Sequence, residues 1–264
     1  MVGSIGTKIM SANFKRKIQM KKIRGYYFYK HFTFLYKLYA LYIKHNSFIP
    51  KKSQSIFGED VFAEKYFKKL NKGFYVDVGA YHPFFWSNTY LLFKRKWEGI
   101  NIDINHLSVE LFNIARSNDH NVNASVSNSN KKVKKYYTKN MMNTMSTTNL
   151  SAAKTSYLNG YDIRSIRCLK LNDIIAKSSF KNRKINFLNI DTEKTELDVL
   201  KSLNFKKYQP ELICVEVHHR DSSPKNKHEL KKHPVYLFLK KKKYKIVWKK
   251  EYSIIFSYLG KKFH

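Results

Sequence analysis

A chain of 264 residues has room for one α/β domain and an extension, and its 43% of hydrophobic residues can fill a buried core, which excludes wholesale disorder. Its 51 Lys and Arg against 19 Asp and Glu leave a formal charge of +32, which favours acidic partners: nucleic acid, an anionic membrane face or phosphorylated glycans. The abundance of Lys, Asn, Ile, Tyr and Phe is what a low-GC genome would produce, but that bias does not account for the shortage of Glu.

Residues 1–50 are basic and aromatic and contain no Asp or Glu, and we read them as an extension set apart from a domain spanning residues 51–264. Within them Tyr26–Ile43 predicts a helix carrying Lys30 and Lys37. Aromatic and basic residues together suit a membrane interface, which makes an anionic membrane surface a candidate partner. The plainer reading, which we prefer, packs this helix on the domain with its lysines snorkelling to water. Asp60–Leu70 predicts a helix closed by Asn71-Lys72-Gly73, with Gly73 suited to the left-handed position past its end. Phe74–Val78 is a short buried strand turned by Gly79, and Ser87 or Asn88 caps a helix that runs through Lys96. Gly99–Ile104 is the next strand, Leu107–Ser117 the next helix and Asn121–Val126 a third strand. This β-α-β-α-β rhythm implies right-handed crossovers and a parallel sheet. Lys131–Thr138 adds a strand or hairpin arm, and Asn140–Gly160 reads as a long polar loop of the kind that forms functional lids. Ile163–Leu169 is extended, Leu171–Lys177 a short helix, Ile185–Ile190 a buried strand, Glu196–Leu203 a helix and Leu212–Val217 a strand. His233-Pro234 opens a last helix to about Lys241, and Tyr244–Trp248 with Tyr252–Leu259 closes the chain as a hairpin.

The two cysteines, Cys168 and Cys214, belong to no CxxC or Cys/His cluster, which argues against zinc. Each sits in an apparent strand, and two buried thiols suit a reducing compartment, so the protein reads as cytoplasmic or peripheral at the inner membrane face. No apolar run is long enough to span a bilayer, and the N-terminus lacks the features of a signal peptide.

Four motifs carry chemistry. In Phe74-Tyr75-Val76-Asp77-Val78-Gly79-Ala80 a strand delivers an acid and then a glycine into a turn; the glycine lets backbone approach a ligand, and Asp77 either holds a ligand ammonium or orders the turn. Asp103, at the end of the next strand, either accepts both hydroxyls of an adenosine ribose or is an exposed strand-end aspartate. Asn189-Ile190-Asp191-Thr192-Glu193-Lys194-Thr195-Glu196 follows a strand, so Asp191 points toward any site formed by Gly79 and Asp103, while Glu196 reads better as an acid opposing a helix dipole. Glu216 and His218 lie two apart on a strand and so share a face; His218 as general base with Glu216 as orienter, a metal held with Asp191, and a structural histidine all remain open. We favour the metal-free route.

Read together, these motifs resemble the FkbM family of methyltransferases. The likeness runs through the Phe74–Ala80 strand and turn, Ser87-Asn88-Thr89-Tyr90, Trp97-Glu98-Gly99-Ile100-Asn101-Ile102-Asp103, Leu171-Asn172-Asp173-Ile174-Ile175, Phe187-Leu188-Asn189-Ile190-Asp191-Thr192-Glu193 and Glu211–Glu216. The resemblance implies a Rossmann-like class I methyltransferase fold: a mostly parallel seven-stranded sheet with helices on both faces, here with the basic N-terminal extension added. It also implies S-adenosylmethionine as methyl donor and a hydroxyl acceptor on a sugar, glycan or natural product. By that likeness Asp77, Gly79 and Ala80 line the methionine part of the cofactor, Asp103 binds its ribose, and Asn123 and Ser125 lie where the adenine edge is read. Asp191 or His218 would be the base, with Glu216 beside them. Two positions depart from the family: Pro83 in the first motif, and Lys194 where members carry glycine, a costly exchange if the backbone there is left-handed. The charge keeps a nucleic-acid methyltransferase open, and Lys194 an inactive member acting as a binding protein.

Overall fold

The computed structural model describes residues 31–45, 52–129, 132–139, 144–156, 160–217 and 227–260. Its centre is a seven-stranded sheet built from β1 (Phe74–Val78), β2 (Glu98–Asp103), β3 (His120–Asn123), β8 (Phe187–Ile190), β9 (Leu212–Glu216), β10 (Tyr244–Lys250) and β11 (Ser253–Tyr258). The spatial order is β10-β11-β9-β8-β1-β2-β3, with β11 antiparallel to both its neighbours and the remaining pairs parallel. The chain steps outward from β1 to β2 and β3 and returns on the other side of β1 as β8. The crevice above β1 and β8 is therefore the topological switch point, where open α/β sheets take their ligands.

Alternation along β1 shows why helices must cover both faces. Phe74, Val76 and Val78 pack with Ile174 and Ile175 of α6 (Leu171–Lys177), Val199 and Leu200 of α7 (Glu196–Lys201), and Leu239 of α9 (Pro234–Lys241), while Tyr75 packs with Ala63 of α2 (Glu59–Tyr66) and Leu92 of α3 (Tyr90–Lys94). The mixed sheet with helices on both faces is the class I methyltransferase fold expected from the sequence. The remaining helices are α1 (Thr33–Leu38, continued by a π turn over Tyr39–Ile43), α4 (His106–Ala115), α5 (Leu150–Ser156) and α8 (Lys227–Lys232).

Several local expectations are corrected. Gly73 is not left-handed; a Cβ there would lie 2.5 Å from the Trp97 ring, so the glycine makes room for a buried indole. The helix after β1 starts at Tyr90 with no side-chain cap, because Thr89 gives its hydroxyl to Asp77 (2.8 Å) and Asn88 gives its amide to Asn189 (3.0 Å). The single third strand is two: Asn123 Nδ2 bonds the carbonyls of Asp103 and Ile104 at 3.0 Å each, the chain turns away at Ala124, and β4 (Ser125–Val126) joins a second sheet. That smaller sheet, in the order β4-β7-β5-β6, contains β5 (Val133–Thr138), β6 (Ser146–Thr147) and β7 (Asp162–Leu169). The stretch expected as loop over 140–160 thus holds β6 and α5, the latter opened by Asn149, whose side chain accepts from Ser151 N at 2.9 Å. Helix α1 lies on the domain: Tyr36, Ala40 and Leu41 pack against Leu107 and Leu111 of α4, and Lys37 Nζ reaches Glu110 Oε1 at 2.7 Å.

Candidate active site

A cavity of about 340 Å³ opens above the carboxyl ends of β1, β2, β8 and β9. Its floor is built by the turn after β1. Gly79 adopts φ +82°, and both Gly79 N and Ala80 N donate to Ile102 O, at 2.9 and 3.1 Å. A Cβ on residue 79 would come within 1.7 Å of Asp191 O, so this turn can press against the segment leaving β8 only because it carries glycine.

Asp103 stands at the end of β2 on the cavity wall. One oxygen accepts from Tyr81 N at 2.9 Å and the other from Asn105 N at 2.7 Å, which fixes the carboxyl plane. Each oxygen keeps a second lone pair for a ligand hydroxyl. Burial pushes the carboxyl up to about 7 despite those backbone donors.

At the other end, Asp191 follows β8 and Glu216 ends β9, and their carboxyls hydrogen-bond one another. Burial comes first and acidic neighbours next in raising both: Glu216 and Glu193 act on Asp191, while Glu193, Glu196 and Glu59 push Glu216 up to about 8 against the lowering effect of its bond to Asp191. Two carboxyls so close keep a proton between them where an isolated carboxylate would have lost it. The loop that carries this pair is strained. Glu193 and Lys194 sit at φ +55° and +77°, and Lys194 N is secured by Glu196 Oε1 at 2.9 Å, so Glu196 ties down the loop entering α7. The left-handed backbone at the family's glycine position is what makes Lys194 a departure.

A profile of the methyltransferase FkbM domain matches residues 77–246, more than half of the chain, from the end of β1 through β9. The chain belongs to the FkbM methyltransferase family. No curated protein matches it.

Of the residues expected from the FkbM likeness to hold the cofactor, Gly79, Asp103 and Ser125 line the cavity. Asp77, Ala80 and Asn123 do not. Asp77 is fully buried away from the cavity and accepts from Asn189 Nδ2 and Thr89 Oγ1, each at 2.8 Å, bonds that order the turn, the second of its two readings. Asn123 spends its amide on the backbone, and Ala80 is buried in the turn. Asp191 and Glu216 are brought together on the cavity wall; His218 lies outside the described residues. Among the described residues no group of three His, Cys, Asp or Glu side chains is arranged to hold a metal ion.

Sequence reasoning missed two parts of this FkbM site. The first is a wall of Tyr81, Trp86, Ile56 and Tyr252, from three separate places in the chain. The aromatic run Phe84-Phe85-Trp86 in the loop after β1 was the available signal. The second is Arg116, fully buried, which donates through Nη1 to Thr89 Oγ1 (2.9 Å) and Tyr75 Oη (3.2 Å) and through Nη2 to Ser87 Oγ (3.0 Å) and the Pro83 carbonyl, with the rings of Phe93 and Phe112 at 4.9 and 5.0 Å. Tyr75 in turn donates to Asp119. Arg116 thus sits between Asp119 and Asp77 and holds the 83–89 loop in place. The expected lid segment does contribute: Thr144 to Thr148 line the cavity, held by Asn105 Nδ2 to Ser146 Oγ at 2.8 Å.

Proposed function

We propose that this FkbM methyltransferase uses S-adenosylmethionine to methylate a hydroxyl on a sugar, glycan or natural product, with the Asp191–Glu216 pair as proton acceptor. The observation that carries the reading is the polarity of the cavity: one end offers a fixed carboxyl with open lone pairs at Asp103, and the other gathers Asp191, Glu193 and Glu216 in a chain whose formal charge is +32. The first end matches the two hydroxyls of a ribose; the second matches a cationic ligand, because the strongest charged neighbours of Asp191 are themselves acidic. S-adenosylmethionine carries both features and, when bound, supplies a methyl group already activated on a sulfonium.

What remains for the protein is alignment and a proton. Asp103 would hold the ribose and the Gly79 turn the methionine part. A hydroxyl titrates far above neutrality, so its oxygen needs a base as its bond to the methyl forms. The ionised Glu216–Asp191 pair takes that proton, and a value near 8 matches such a base to cellular pH. Free, buried Cys168 and Cys214 support a cytoplasmic setting.

Calorimetry of the intact chain with S-adenosylmethionine tests the cofactor, and labelled-methyl transfer onto a cell extract divided into RNA, glycan and lipid fractions tests the acceptor. Saturable binding and label in a glycan or lipid fraction are expected. Absence of binding by the folded protein overturns the cofactor reading, and label confined to RNA overturns the acceptor class.

A further inference from the structure

Helix α1 and its π turn have two apolar stripes, and the domain buries only one. Tyr36, Ala40 and Leu41 face α4. Leu35, Tyr39 and the adjacent Tyr42 and Ile43, at spacings of three and four along the helix, form a second stripe that is exposed, with Leu35 at 51% and Ile43 at 57%. An outward helix face is ordinarily polar, and a contiguous exposed apolar stripe marks a partner. Charge selects which one. Residues 1–50 contain ten Lys and Arg and no Asp or Glu. An apolar and aromatic stripe within an all-basic segment has the composition of a helix lying in an anionic lipid interface. A second copy of this chain would instead bring the same cationic segment against itself.

The stripe is joined to the cavity mouth by a run of rings. Tyr42 packs on Phe84 (5.6 Å between centroids), His45 stacks on Phe85 (4.3 Å), Phe85 on Trp86 (4.7 Å) and Trp86 on Tyr81 (5.8 Å). Trp86, 46% exposed, and Ile56, also exposed, line the cavity with Tyr81. His82 locks the helix to this loop: its buried ring accepts from Phe84 N and Phe85 N at Nδ1 (3.1 and 3.0 Å), which leaves Nε2 to donate to Ala40 O (3.1 Å). Helix and cavity rim therefore form one continuous surface.

We infer that this surface seats the protein on an anionic membrane, with Trp86 at headgroup level, and that the cavity takes its acceptor hydroxyl from a lipid-linked molecule whose apolar part stays in the bilayer. The inference rests on the methyltransferase reading of the cavity for its acceptor and stands apart from it for its docking.

The test uses the full chain, co-sedimented with phosphatidylcholine vesicles with and without phosphatidylserine. Wild type should bind the anionic vesicles and not the neutral ones, and Leu35→Asp/Ile43→Asp should weaken that binding about tenfold or more while keeping wild-type affinity for S-adenosylmethionine. Brominated lipid should quench Trp86 fluorescence, a signal lost in Trp86→Phe. Unchanged vesicle binding by the double variant, equal binding to both vesicle types, an unquenched Trp86, or a dimer dissolved by the variant with vesicle binding intact would each overturn the docking. Label appearing in water-soluble glycan and not in lipid would overturn the acceptor. Vesicle binding without any cofactor binding would break the methyltransferase reading and leave the docking standing.

Discussion

Asp77 near the end of β1 and Asp191 just past β8 lie at neighbouring strands, Asp77 buried and Asp191 half-buried on the cavity wall, and their surroundings are opposite. Asp77 has a donor on each oxygen and the Arg116 guanidinium beyond Thr89, so the upward push of burial is opposed by three favourable partners. Asp191 has Glu216, Glu193 and Glu196 for neighbours, and each adds to the push. A buried charge with matched partners is scaffold; a charge set among its own kind is held at high potential, ready to accept a proton or meet a cation. Sequence position alone made the two aspartates look alike.

The comparison breaks most visibly at Arg116. Arg116→Met leaves Asp77 and Asp119 buried without their shared cation and should cost about 3–5 kcal/mol of stability in urea unfolding. A loss below about 1 kcal/mol would mean that the network does not set the scaffold.

On the reactive side, Glu216→Gln and Asp191→Asn should each slow methyl transfer about a hundredfold or more, a loss larger than any weakening of cofactor binding from the missing carboxyl, read by single-turnover kinetics and calorimetry. Wild-type turnover should rise with pH to a plateau above about 8, because only the ionised Glu216 accepts a proton. The stability effect has the opposite sign. Folded-state values raised above the unfolded ones mean stability present below the ordinary carboxylate range and lost as pH rises toward about 8. Thermal melts of the ligand-free protein should show that decline, and a variant combining Glu216→Gln with Asp191→Asn should reduce it.

A third test sharpens the contrast within the cavity. Asp103→Asn keeps the shape but loses charged acceptance, and should weaken cofactor binding about tenfold. Wild-type affinity should itself fall as pH drops below about 7, where Asp103 takes up its proton and can no longer accept from both ribose hydroxyls. Affinity independent of pH across that range would remove Asp103 from the ribose role.

The smallest effect belongs to Lys194. At φ +77° a lysine is strained, and Lys194→Gly should stabilise the fold by about 0.5–1 kcal/mol, the relief being offset in part by the freer unfolded chain. A melting temperature that falls would show that lysine contacts outweigh the backbone strain.

The amino-acid sequence determined the sheet and its ligand end. Short apolar runs closed by Asp-Val-Gly, Asp103 and Asp191 are local patterns, and a parallel sheet places all such strand ends on one side, so the motifs predict a common site without any knowledge of packing. It also determined the family, since strand, turn and acid recur in order over 77–246. Tertiary structure alone decided which acids face the cavity. Asp77 is claimed by Thr89 and by Asn189 from a strand more than a hundred residues away, and Asn123 by the carbonyls at the end of β2. Arg116 carried no local signal, because its partners come from Tyr75, Pro83, Ser87 and Thr89, and a basic chain offers many equivalent arginines and lysines to the reader. The same holds for Trp86 and Ile56: burial or exposure of an apolar side chain depends on what folds over it, and only the assembled rim shows that both remain open beside the cavity.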